Sequence, residues 1–209
     1  MVCEPFDRKV FRLFAEILDY PQAGLVETVR ACETLVPREA RLLLDEFQTF
    51  AETVSLNRLE EIYVGIFDWN TTFSLYVGHH LFGESYKRSA FLMELKERYR
   101  AHGFGVEKEK ELPDHVVVIL RFLAVCDDTA LVEELIQEAL LPVLERMIGE
   151  REDPERSGKD VAQLEPDSSS HRGEQQTHPY SGVLQALQWV LQQQLQLIGS
   201  APEGGTHHG

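Results

Sequence analysis

The sequence is short of cysteine and of basic residues, and it has no long apolar run. Its three cysteines, Cys3, Cys32 and Cys126, are scattered and form no Cys-x-x-Cys pair. That argues against both a disulfide framework and a cysteine metal site. Lysine and arginine total 20 against 35 acids, a formal net charge of −15. Such a surface repels phosphate backbones, so a nucleic-acid partner is not expected, while basic partners are favoured. The same charge also serves plain solubility. No apolar run approaches the ~20 residues of a membrane-spanning helix, so no membrane insertion is expected. Residues 1–8 lack a basic segment followed by an apolar core, so a secretory signal is not expected and a cytoplasmic location is. No Gly-x-Gly-x-x-Gly, Walker loop, nucleophile elbow or His-Glu-x-x-His is present. Serine, histidine and acidic residues occur in no order that indicates a triad.

What is present is helical spacing. The chain has 209 residues, 43% of them hydrophobic, which suits a folded protein. Val10, Phe11, Phe14, Ile17 and Leu18 line one face of a first helix, which Pro21 ends. Leu25, Val29, Cys32 and Val36 mark a second. Pro37 opens a third, with Leu43, Phe47 and Phe50 inward. Ser55 is expected to cap a fourth, striped by Leu56, Leu59, Tyr63, Ile66 and Phe67. A short segment over 74–82 stops at Gly83, and Ser85 is expected to cap the next helix, which ends at Gly103. The Val116–Ile119 run is strand-like by propensity. Pro113 in a first turn, with Asp114 beside it, predicts a helix there instead. A long helix is expected from Asp128 to Met147.

The fold class is therefore all-α, a single helical bundle. Residues 1–149 are its body. Residues 150–177 hold too few large apolar side chains to offset their ordering entropy and are expected to form a disordered polar loop. Residues 178–198 form a C-terminal helix whose apolar stripe is expected to pack on the body, and 199–209 a loose tail.

Several side chains are candidates for function. Tyr63, Phe67, Trp69, Phe73, Tyr76 and Phe82 crowd one window. They read as core packing for the most part, or as an aromatic groove for a partner helix, with Trp69 the one expected to be partly exposed. His79 and His80 diverge by ~100° on a helix, which favours structural roles over shared metal binding. With His115 they make the alternative of another class, a helical metalloprotein or enzyme. Glu84 and Arg88 have a local explanation at a helix start, or offer a carboxylate to an arginine of a peptide. Asp114 and His115 read equally as helix-start chemistry and as function at a hinge.

Four blocks carry a resemblance: Leu18-Asp19-Tyr20-Pro21, Tyr63 through Asp68, Gly83-Glu84-Ser85 with Arg88, and Glu111-Leu112-Pro113-Asp114-His115. In this order and spacing they resemble the NarJ/TorD family of maturation chaperones, in its respiratory nitrate reductase delta-subunit branch. His178-Pro179-Tyr180 resembles the same branch; Trp69-Asn70 departs from it, where a basic or small residue is frequent. The resemblance implies an all-helical, non-catalytic protein with no tightly bound cofactor. It implies binding of the N-terminal, twin-arginine-like segment of a molybdoenzyme catalytic subunit. The client is then held until the molybdenum bis-guanine-dinucleotide cofactor is inserted, so the chaperone acts near that cofactor. A different type II DMSO-reductase-family client is the alternative within the family. On this reading the peptide-binding set is Tyr63, Phe67, Trp69, His80, Phe82, Glu84, Arg88, Asp114 and His115, with no catalytic and no metal residue.

Overall fold

A computed structural model describes residues 7–149 and 178–199. Cys3 and the stretches for which a polar loop (150–177) and a loose tail (from 200 onward) are expected lie outside the described residues. Among the described residues there are ten α-helices and no strand. They are α1 (Lys9–Ile17), α2 (Leu25–Glu33), α3 (Arg38–Thr53), α4 (Leu56–Phe67), α5 (Val77–Phe82), α6 (Tyr86–Ala101), α7 (Val116–Leu123), α8 (Thr129–Glu134), α9 (Leu141–Gly149) and α10 (Ser181–Gly199). The protein is an all-α bundle, as the spacing predicts.

The centre of the bundle is α7. Seven of its eight residues are buried, and only Arg121 reaches the surface. A helix that is apolar all round must lie inside, and here burial overrides the strand preference of Val116, Val117, Val118 and Ile119. Each such side chain contributes roughly 1.5–3 kcal/mol by leaving water. Around it, α1 packs on α7 and α2, α2 on α3, and α10 on α3 and α9. The α10–α3 crossing is close because Gly182 has no side chain: a Cβ there would lie 2.6 Å from the Leu43 carbonyl oxygen.

Ser55 caps α4 through its hydroxyl, which accepts from the Arg58 amide at 3.3 Å. Ser85 does not act as expected. It sits at the N-cap position of α6, but its hydroxyl donates backward to the Phe82 carbonyl at 2.9 Å. The long helix from Asp128 is one continuous run, with Asp128 accepting from the Leu131 amide at 3.1 Å. Its middle, Leu135–Leu140, is π-helical and joins α8 to α9. That loosened turn precedes Pro142, whose ring has no N–H to donate and crowds the carbonyl four residues back.

A further difference concerns the entrance to α7. The helix begins at Val116, not at Pro113. Pro113 and Asp114 form a turn and His115 is extended instead, because the backbone around them pairs with 75–77. The Val77 amide donates to the Asp114 carbonyl at 2.9 Å and the Val116 amide to the Leu75 carbonyl at 2.8 Å. The result is a single antiparallel bridge between Tyr76 and His115.

Candidate functional site

The bridge ties together two helix starts, since Tyr76 is the N-cap of α5 and His115 the N-cap of α7. His115 caps with its ring: Nδ1 accepts from the Val117 amide at 3.3 Å. Asp114 does not cap its own helix. Its Oδ2 accepts from the Gly78 amide at 3.1 Å, in the first turn of α5, and from Arg88 Nε at 3.4 Å. A Cβ on Gly78 would come 2.7 Å from that oxygen and 3.1 Å from Arg88 Cγ, so the glycine is what admits the carboxylate. Asp114 is wholly buried. Burial pushes its carboxyl above the usual range, while Arg88 and the Gly78 amide pull the other way. Arg88 also lies 5.6 Å over the Tyr76 ring and 3.8 Å from Glu84.

Beside the bridge is a cavity of about 110 Å³, formed where α1 and α4 end. Three carboxylates line it, Asp19, Asp68 and Glu111, and its other walls include Tyr20, Tyr63, Phe67, Tyr76 and His115. Tyr63 donates its hydroxyl to the Leu18 carbonyl at 2.9 Å, and Tyr76 donates to Glu111 Oε2 at 2.5 Å. Arg121 holds Asp19 at 2.6 Å and Glu109 at 2.5 Å. Burial, and then the field of Glu111, push the Asp68 carboxyl upward. Burial takes His115 down to about 4, against the pull of Glu111 and Asp19, so its ring is neutral at pH 7. With Nδ1 accepting, the proton of the neutral ring is on Nε2.

Tyr63 and Phe67 are buried, 4.9 Å apart, and the chain's own Tyr180 closes over them at 5.8 and 5.1 Å. They form the inner wall of the cavity. Trp69 is 82% exposed, and Tyr20 and Leu112 are each 45% exposed. Each of these three lines the cavity or directly follows a residue that does.

The other expected site residues lie elsewhere. Phe82 stacks against Phe91 at 5.3 Å and lines a separate groove of about 370 Å³ between α6 and the π-helical turn. His80 Nε2 is 2.7 Å from the Ser74 carbonyl, and Arg146 bonds the His80 carbonyl. Glu84 is exposed and lies 3.9 Å from His79 Nδ1. Among the described residues no three His, Cys, Asp or Glu side chains converge as metal ligands, so His79, His80 and His115 form no such set. Nor is any described helix long and apolar enough to cross a membrane.

The structure thus brings Tyr63, Phe67 and His115 to one cavity and joins Arg88 to Asp114 behind it. Asp19, Tyr20, Asp68, Tyr76 and Glu111 line that cavity too but lie outside the set expected from the sequence. Asp19, Tyr20, Asp68 and Glu111 all belong to blocks that carry the family resemblance, which is the available signal. Packing of α1 on α7 brings the first two to the others.

The family model for the nitrate reductase delta subunit matches residues 33–151, from the end of α2 past the end of α9. The chain belongs to the nitrate reductase delta subunit family. It is similar to the nitrate reductase molybdenum cofactor assembly chaperone NarJ of Escherichia coli (strain K12), with 29% identity over 148 residues. That match covers 67% of this chain and 62% of the relative, so the chain spans less than two thirds of that protein's length. The probable nitrate reductase molybdenum cofactor assembly chaperone NarJ of Bacillus subtilis (strain 168) is 31% identical over 126 residues, 58% of this chain and 68% of its own. The probable assembly chaperone NarW of Escherichia coli (strain K12) is 26% identical over 147 residues, 70% of this chain and 63% of its own. Most of the cavity therefore belongs to the segment that defines the delta family.

Proposed function

We propose that this protein is a chaperone of molybdoenzyme maturation. It binds the N-terminal segment of a nitrate reductase alpha-type catalytic subunit in the cytoplasm. It assists molybdenum cofactor insertion and complex assembly before the enzyme docks at the membrane. The observation that carries the reading is the delta-subunit match across 33–151, the segment that supplies Asp68, Tyr76, Glu111 and His115 to the cavity. The relatives' names supply the nature of the task.

The physical chemistry agrees with this reading. An acidic cavity with half-exposed Tyr20 in its wall, and exposed Trp69 and Leu112 next in sequence to Asp68 and Glu111, suits a basic segment with apolar side chains. No catalysis is needed. Binding that favours the immature client over the finished enzyme suffices to hold it and later release it. The cofactor is cargo for the client and not a resident group of the chaperone.

Calorimetric titration of the full chain with the N-terminal peptide of a nitrate reductase alpha-type catalytic subunit tests the reading. The expected result is saturable heat and a raised melting temperature. No heat together with an unmoved melting temperature defeats it.

A further inference from the structure

We infer that the outer face of α6 around Ala90 is a pairing surface for a second copy of this chain, the two helices running antiparallel across a two-fold axis at Ala90.

Helix α6 is thinly covered. Of its 16 residues only Leu95 and Tyr99 are buried, both in its second half. Its first half carries Tyr86 and Met93, which are 81% and 65% exposed. They stand seven residues apart, two turns of helix, and so share one face.

The pattern around Ala90 is what a two-fold axis requires. At ~100° per residue, Tyr86 and Met93 lie roughly 40° and 60° to one side of Ala90. Lys87 and Glu94 lie roughly 60° and 40° to the other. Antiparallel helices related by a two-fold axis meet like flank to like flank. With Ala90 on the axis, Tyr86 comes opposite the partner's Met93, and Lys87 opposite the partner's Glu94. Both registers agree to within the rise of one residue, about 1.5 Å. Symmetry makes each contact twice. The first is a sulfur–aromatic contact and the second an ion pair, while alanine at the crossing lets the two backbones approach. Both charges are available. Lys87 has no ion pair among the described residues, and Glu94 gives Oε1 to Arg98 and keeps Oε2.

Charge selects a copy over other occupants. Two chains of formal net charge −15 repel over most of their surfaces. Helix α6 runs against that balance, with five basic residues and two acidic ones, so two copies approach there at low cost. An anionic lipid surface or an acidic partner would set Glu94 and Glu97 against like charge. A second copy answers Glu94 with Lys87. The contact is small: residues 86–97 span roughly 17 Å of helix. Such an interface belongs at the low end of specific sizes, so the dimer is a reversible one. Arg88 lies roughly 160° round the helix from Ala90, and pairing leaves its contact with Asp114 untouched.

The test is sedimentation equilibrium of the full chain from micromolar to millimolar concentration, with variants at exposed positions of α6. The parent is expected to pass from monomer to dimer. Ala90→Glu sets two carboxylates against each other at the axis and is expected to raise the dissociation constant roughly tenfold or more. Its melting temperature is expected to stay near that of the parent monomer, because the position is exposed. Lys87→Glu and Glu94→Lys are each expected to weaken self-association by a similar factor, since each brings like charges opposite one another twice. An equimolar mixture of these two variants is expected to restore the dimer as a heterodimer, because every charge then meets its opposite. A chain that stays monomeric at every concentration overturns the inference and gives the face to another kind of partner. So does a dimer indifferent to Ala90→Glu, or a mixture that associates no better than the two variants alone.

Discussion

Asp114 Oδ2 stands 3.1 Å from the amide nitrogen of Gly78, so a carboxylate at the entrance to α7 accepts from the first turn of α5. The two residues are far apart in sequence: Gly78 lies in α5 and Asp114 in the turn ahead of α7. Their bond, with the backbone bridge beside it, sets the relative position of α5 and α7 and hence the wall of the cavity that Tyr76 and His115 supply.

Gly78→Ala is therefore expected to destabilise the protein by about 1–3 kcal/mol, since the new methyl group overlaps both Asp114 Oδ2 and Arg88 Cγ. Gly65→Ala is the control. That position is an exposed one inside α4 with nothing near a new Cβ, and alanine there is expected to stabilise by about 0.5–1 kcal/mol. Urea unfolding of both variants checks the pair. Equal effects at the two positions count against the close approach at Gly78.

His115 links stability to pH. The unfolded chain takes up this proton near its ordinary 6.5, but the folded protein resists until about 4 because the ring is buried. This contribution is fully present above pH 6.5 and is lost as pH falls through that window, by roughly 3 kcal/mol in all. Asp114, with its carboxyl pushed up, acts in the opposite sense: its contribution favours low pH and is lost as pH rises through its folded value. His115→Asn separates the two, because asparagine keeps an N-cap acceptor but does not titrate. Stability curves measured from pH 4 to 7 are expected to be flatter in acid for the variant than for the parent.

Tyr180 fastens the start of α10 to the inner aromatic wall. It is fully buried, 4.6 Å from Phe47 and 5.1 Å from Phe67, and its hydroxyl has no partner among the described residues. Tyr180→Phe is thus expected to be neutral or slightly stabilising, whereas Tyr180→Ala costs about 3–5 kcal/mol. Thermal unfolding distinguishes them. A large loss in the phenylalanine variant reveals a hydrogen bond to this hydroxyl.

Trp69 offers the opposite case, a large ring with almost no structural duty. Trp69→Ala is expected to change stability by no more than about 0.5 kcal/mol. The same change is expected to weaken client-peptide binding roughly tenfold, as truncation of an anchoring aromatic does. Calorimetry on parent and variant reads both numbers. Unaltered affinity removes Trp69 from the docking surface.

Helix positions were readable because helical periodicity is local. The apolar spacing of α1 to α4, the stop at Gly83 and the cap at Ser55 depend on residues a few places apart. The start of α7 lies later than Pro113 and Asp114 predict, because those signals are also local and a distant backbone segment at 75–77 competes for the hydrogen bonds there. Ser85 illustrates the same limit: its position at the helix start was legible, but the acceptor its hydroxyl would choose was not.

The sequence by itself determined the class of the protein, a helical bundle with an acidic surface, and it carried the blocks that resemble the delta-subunit family. Only the tertiary structure decided that Asp19 from the end of α1, Asp68 from the end of α4 and Glu111 ahead of α7 line one cavity with Tyr76 and His115. The physical reason is that periodicity and capping act over a turn or two of helix. Which carboxylates share a space depends on how whole helices pack, and that is settled by burying α7 from every side.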